Sequence, residues 1–344
     1  MKNLLLRVAS FACFAFLAVA QQPAARKVTC AVCHVEQVKT QPATDMAHAM
    51  EPFNDDPVLT AHSPLEWKIG AFRYKLENNN GSPIYMVTDG VSTLNLPILW
   101  PFGKNAQTYV LDYKGNLYEG FVSYYPAIHG LDRTVGDQSL TPENLEQAMG
   151  RLLSPFEAKS CFGCHSTGAL VDRKLSFSTL TPGVTCARCH ANAERHLQSI
   201  SEGKLDNVPP KLKKLSAEDI SNFCGQCHRT WQTVVQNRWL GPMNVRFQPY
   251  RLENSKCFDG VDARMSCTGC HDPHRQLETD YKTYDVKCLA CHGAENRPAR
   301  AKVCQTSKEN CASCHMPKTD LPGAHRAFTD HRIRIVKANE AYPD

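Results

Sequence analysis

The chain has 344 residues, with 39 Lys and Arg against 34 Asp and Glu and a formal charge of +5. That length holds one large or two small domains, and so small a charge excludes a protein that works by neutralising a nucleic-acid backbone. The outliers are 17 cysteines and 14 histidines.

Residues 1–20 read as an export leader. Lys2 and Arg7 form a positive start, Val8 to Ala20 is apolar and uncharged, and Ala18-Val19-Ala20 is a small-residue cleavage signal before Gln21. The run is short for a membrane span, which needs about 20 apolar residues. Cys13 is expected to leave with it. Cleavage removes Lys2 and Arg7, so the charge falls from +5 by 2 to +3. No second stretch approaches membrane length. The mature chain is therefore expected in the periplasm or outside the cell, with no integral membrane segment.

Next comes a segment over 21–64 with one C-x-x-C-H run, Cys30-Cys33-His34. Residues 65–130 lack such a run and read as a small antiparallel β-module. Phe72 to Asn78 alternates, Asn79-Asn80-Gly81 marks a turn, and Ile84 to Thr88 is β-rich before Asp89-Gly90. Thr108 to Tyr113 and Leu117 to Val122 predict a hairpin about Lys114-Gly115-Asn116. Seven of the eleven tyrosines fall between Tyr74 and Tyr125, where they fit sheet packing. Thr141-Pro142-Glu143 predicts a helix start, with the helix running to about Leu153.

The region 131–344 carries six more C-x-x-C-H runs. They are Cys161-Cys164-His165, Cys186-Cys189-His190, Cys224-Cys227-His228, Cys267-Cys270-His271, Cys288-Cys291-His292 and Cys311-Cys314-His315. Ser216 before Ala217-Glu218-Asp219 predicts the cap of a helix running into Cys224. From Cys161 the motif starts are 25, 38, 43, 21 and 23 residues apart. Such intervals are too short for each to build a conventional core.

C-x-x-C-H is the attachment run of a c-type haem. Two thiols add to the two vinyl groups of one haem, and the following His supplies an axial imidazole to the iron. A C-x-x-C pair also suits half a zinc site or a redox dithiol, but neither requires His at the next position. Every one of the seven pairs here has it. The cofactors expected are thus seven c-type haems. The expected fold is α+β, with short helices and loops wrapped around a seven-haem stack beside the β-module.

Outside the motifs and the leader, Cys257 and Cys304 remain. A disulfide between them suits an oxidising compartment, with a thiolate haem ligand as the alternative. Seven histidines also remain, namely His48, His62, His129, His196, His274, His325 and His331. Seven irons need seven second ligands if each is six-coordinate, so these are the candidate distal ligands. His274, three residues beyond His271, is placed to reach a neighbouring haem rather than its own. His129, beside Gly130 at the end of the strand-rich stretch, is equally suited to a surface role. If it is not a ligand, one haem is open or takes Met.

The runs C-H-D-P-H at 270–274, C-H-M-P-K at 314–318 and T-D-H-R-I at 329–333 resemble exported multihaem cytochromes c of the doubled C-x-x-C-H type. These are related to the nitrifier tetrahaem cytochromes and to the wider hydroxylamine oxidoreductase-like superfamily. That resemblance implies a haem-wrapped fold and redox function. The superfamily's nitrite reductases carry a C-x-x-C-K site, absent here, and no motif assigns a tyrosine to a haem cross-link as in the hydroxylamine oxidoreductases. The expected function is a carrier that passes electrons between other redox proteins, its donor and acceptor. It is expected to be a carrier rather than a catalyst. The alternative is an oxidoreductase acting on a small nitrogen or sulfur compound at one open haem.

Overall fold

The structure is a computed structural model that describes residues 28–293 and 303–344. The leader, with Lys2, Arg7 and Cys13, lies outside the described residues. The chain mixes many short helices with one large antiparallel sheet.

The sheet has eight strands, of which seven follow in chain order. They are β1 (Leu65–Ile69), β2 (Phe72–Asn79), β3 (Ser82–Thr88), β4 (Thr93–Phe102), β5 (Gln107–Tyr113), β6 (Asn116–Tyr125) and β7 (Gly130–Arg133). An eighth, β8 (Gly150–Leu152), pairs with β6. The expected turns are present. Asn79 pairs with Ser82 across Asn80-Gly81, and Tyr113 pairs with Asn116 across Lys114-Gly115. The outer strands β1 and β7 approach each other, so the sheet is nearly a barrel.

Strand alternation sends Phe72, Tyr74, Leu76, Tyr85, Val87, Tyr109 and Leu111 inward to one core. Burying a tyrosine ring requires a partner for its hydroxyl. Tyr74 donates to Ala148 O at 2.9 Å, and the Tyr85 hydroxyl accepts from Val122 N at 3.2 Å. Ala148 and Met149, from the short helix Leu145–Met149, close the core from one side.

That helix is shorter than the sequence predicts. Its cap is Asn144, whose side chain accepts from Gln147 N at 3.0 Å, and it stops at Gly150 rather than near Leu153. The reason is tertiary. Gly150 has φ +142° and lies so close to β6 that a Cβ there would meet Glu119 O at 2.0 Å. Gly150–Leu152 therefore turns outward to become β8.

A second apolar cluster joins the sheet to the motif region. Phe102 and Val110 pack with Met50, Leu153, Ala158 and Phe162. Ala158 and Phe162 lie on the helix Pro155–His165, which carries the second motif. Ser154 and Glu157 cap that helix reciprocally, and Pro155 opens it. Met50 is part of this packing.

The one-motif segment is folded into the same body. Val184 N donates to Met46 O at 3.0 Å, and Gln41 Nε2 donates to Val184 O at 2.7 Å. Asp45 N donates to Gln276 Oε1 at 3.0 Å, and Gln276 Nε2 returns a bond to Asp45 Oδ1 at 2.9 Å. Gly183, at φ +72°, permits this contact, because a Cβ would collide with Ala47 O at 1.8 Å.

Candidate haem-attachment sites

Every motif places its two thiols on one helical turn, where residues three apart share a face. Three motifs end longer helices, Pro155–His165, Ala217–His228 and Asp285–His292. Cys186–Cys189, Cys267–Cys270 and Cys311–His315 are single turns, and Cys30–Val32 is a 3₁₀ turn. Ser216 caps its helix as the sequence predicts, accepting from Asp219 N at 3.1 Å. The seventh motif borrows its cap. Asp285, from the sixth motif's helix, accepts from Asn310 N at 2.7 Å and Cys311 N at 2.8 Å.

The motifs touch one another out of chain order. Cys186 of the third lies against Cys30 of the first. Cys164 of the second meets Cys227 of the fourth, and Cys224 of the fourth meets Cys267 of the fifth. Cys270 lies near Cys288, and Cys288 near Cys311, which continues the series through the sixth to the seventh. Among the described residues no group of three or more His, Cys, Asp or Glu side chains is arranged to hold a bare metal ion.

Several histidines have Nδ1 tied to a neighbour. His165 Nδ1 lies 2.7 Å from Ala49 O, and His315 Nδ1 lies 2.8 Å from Arg334 O. His331 Nδ1 lies 3.0 Å from Thr329 O, and His271 Nδ1 lies 3.3 Å from the Tyr284 hydroxyl. His48 and His274 set Nδ1 against Glu51 at 2.6 Å and Asp272 at 3.1 Å. Such a bond orients the ring and leaves Nε2 for a metal.

Two pairs of rings face each other across a gap. The His190 and His274 centroids are 6.1 Å apart, and those of His271 and His331 are 6.2 Å apart. Two imidazoles trans on one metal, each nitrogen about 2.0 Å from it, have centroids about 6 Å apart. The gaps therefore fit one iron each. His274 lies beside His190 of the third motif. Enclosure by protein holds His331 down to about 4, with His271 beside it, so the ring is neutral and keeps the lone pair a metal needs.

The remaining candidates differ. His196 lies on the helix Ala193–Ser201 with its Nδ1 buried and unpartnered. His62 ends the helix Pro57–His62, where its exposed ring stacks on Tyr124 at 5.4 Å. His129 is exposed at φ +48°, closing the turn after β6. His325 turns Nε2, the usual metal atom, to Asp132 Oδ2 at 2.8 Å and sets its ring edge-on to Tyr125. Cys304 is exposed, and Cys257 lies near Cys288 of the sixth motif.

Sequence reasoning missed the support of His331. Asp330 and Arg251 are both fully buried, and Arg251 grips Asp330 with two bonds of 2.8 and 2.9 Å. Arg334 adds a third at 2.7 Å. Arg334 N also donates to His315 O at 3.1 Å. Residues 330–334 thus position His331 against the fifth motif and brace the seventh.

A family model described as cytochrome c554 and c-prime matches residues 134–191, which hold the second and third motifs. A curated relative, the multiheme cytochrome MtrA of Shewanella baltica (strain OS185), is 24% identical over 59% of this chain. The chain spans 58% of the length of that relative. No solved structure matches the chain. Both similarities support a multihaem cytochrome c.

Proposed function

We propose that the chain is a heptahaem c-type cytochrome that carries electrons between redox partner proteins, in the periplasm or outside the cell. The observation that carries this reading is the clustering of motif thiols, first with third, second with fourth, fourth with fifth and sixth with seventh, with two histidine pairs spaced for one iron each. Cys30/Cys33, Cys161/Cys164, Cys186/Cys189, Cys224/Cys227, Cys267/Cys270, Cys288/Cys291 and Cys311/Cys314 would hold the haems. The histidine that follows each pair would bind the iron from one side, with His274 and His331 opposite His190 and His271. Haem iron, when bound, supplies one-electron exchange between its ferric and ferrous forms. The chain's own residues hold the rings, orient them through Nδ1, and exclude water. Among the described residues no helix is long and apolar enough to cross a membrane.

Mass spectrometry and visible spectra of the exported protein test this. Seven attached haems with predominantly low-spin spectra are expected. Fewer haems, or motif thiols found free, would overturn it.

A second reading, catalysis on a small nitrogen or sulfur compound at one open haem, has one observation in its favour. His325 commits Nε2 to Asp132, so the balance of seven distal histidines for seven irons falls short. A high-spin component together with turnover of nitrite, hydroxylamine, tetrathionate or peroxide would establish it. A wholly low-spin spectrum would remove it.

A further inference from the structure

The network that holds His331 ends on residues eleven to thirteen positions further along the chain. Asp330 Oδ1 accepts from Arg332 N at 3.0 Å, so the carboxylate spans the His331 backbone. The Ser255 hydroxyl donates to His331 O at 3.3 Å and accepts from Ile333 N at 2.8 Å. The Asp330 carboxylate is fixed in turn by Arg251, and both side chains are fully buried. Where His331 sits therefore depends on how Arg251 is held.

Arg251 has further partners. Its Nη1 donates to Asn244 Oδ1 at 3.3 Å and to Pro343 O at 2.7 Å, and the guanidinium lies 4.7 Å from the centroid of the Tyr342 ring. Asn244 is fully buried. Its Oδ1 also accepts from the Tyr342 hydroxyl at 2.6 Å, and its Nδ2 donates to Asp344 Oδ1 at 3.0 Å and to Trp239 O at 3.4 Å. Both donors and both lone pairs of that amide are thus used. A buried amide or guanidinium costs free energy when one of its partners is withdrawn. Arg332 Nη1 ties the same segment down by donating to Asp344 O at 2.5 Å. A continuous line of contacts therefore runs from Tyr342 through Asn244, Arg251 and Asp330 to His331.

We propose that Tyr342 is a positioning residue for His331, and that residues 342–344 form a latch that keeps His331 on the fifth haem's iron and closes that iron to exogenous ligands. The inference rests on the haem reading above and on the 6.2 Å separation of the His271 and His331 rings. Carbon monoxide binds a ferrous iron only where the axial imidazole has left it, so its binding rate reads the detached fraction. Removing the Tyr342 side chain deletes one hydrogen bond and one cation–π contact, which raises that fraction about tenfold.

The test uses the exported holoprotein, reduced and mixed with carbon monoxide after intact mass has counted its haems. A wild type without haem would sink the haem reading itself, independently of the latch. His331→Ala is expected to create one haem that binds carbon monoxide fast. If it creates none, His331 is not a ligand and the latch is overturned with it. Tyr342→Ala is expected to speed binding at that same haem about tenfold. Tyr342→Phe is expected to speed it less, because the ring stays over Arg251. Added to His331→Ala, Tyr342→Ala is expected to change nothing further. An unchanged rate in Tyr342→Ala would overturn the proposal, and so would a further acceleration in the double variant. Leu76→Ala, in the β-module core, lowers stability without touching the network. An equal acceleration there would reduce the effect to general loosening and overturn the latch. If Tyr342→Ala does not mature with seven haems, Tyr342→Phe decides, and an unchanged rate in it overturns the proposal.

Discussion

The two regions of this molecule are stabilised differently. The β-module encloses a conventional core in which tyrosine hydroxyls find backbone partners. The motif region has little apolar core of its own. Among the described residues its one separate cluster of buried hydrophobic residues is Val234, Phe247 and Tyr250. Val32, Val35, Val286 and Leu289, beside motif thiols, are exposed. A polypeptide with so little buried apolar surface does not offset its conformational entropy. The difference teaches that the second region is built to be completed by its cofactors, whereas the first folds by burying side chains.

The largest expected effect separates the regions outright. A chain matured without haem is expected to keep a protease-resistant fragment containing β1 to β8, with digestion throughout 186–344. Equal protection of both regions, read by limited proteolysis and mass spectrometry, would break the comparison.

Next come single changes in each region. Asp330→Asn leaves Arg251 buried without its counter-charge and is expected to cost about 3–5 kcal/mol. In the β-module's interface with the motif region, Phe162→Ala is expected to cost about 3–5 kcal/mol as well, through lost burial and a cavity. Denaturant unfolding of the holoproteins measures both. Only Asp330→Asn is expected to add a high-spin component to the visible spectrum, because it alone loosens His331.

A smaller contrast lies among the histidines. His331→Ala is expected to produce a high-spin haem, whereas His325→Ala leaves the spectrum unchanged and only weakens the contact with Asp132. A high-spin signal from His325→Ala would return that residue to the ligands.

The smallest effect concerns the cap of the helix Pro155–His165. Ser154→Ala is expected to cost about 1 kcal/mol. Hydrogen bonds from Ser154, with Arg151 adding to them, hold the Glu157 carboxyl down to about 2. A lowered carboxylate stabilises the fold above its unfolded pKa and loses that contribution as pH falls through the folded value. The cap's contribution is thus present at neutral pH and fades between about 4.3 and 2. Acid titration of Ser154→Ala against wild type measures the window.

Much of this was legible in the sequence because it is local. Strand alternation from Phe72, the turns at Asn80-Gly81 and Lys114-Gly115, the Ser216 cap and the seven motifs each need only neighbouring residues. The helix after Thr141 was read too long because its end depends on β6, a distant strand. His325 looked like a ligand by composition, and Asp132, 193 residues away, claims its Nε2.

By itself the sequence determined where the seven C-x-x-C-H runs lie, since two thiols and a histidine at fixed spacing need only one helical turn. Only the tertiary structure decided which motifs are neighbours, which histidines face each other across an iron-sized gap, and how buried charge is compensated. Those properties depend on contacts between residues far apart in the chain, as between Arg251 and Asp330, and no local pattern encodes such a meeting.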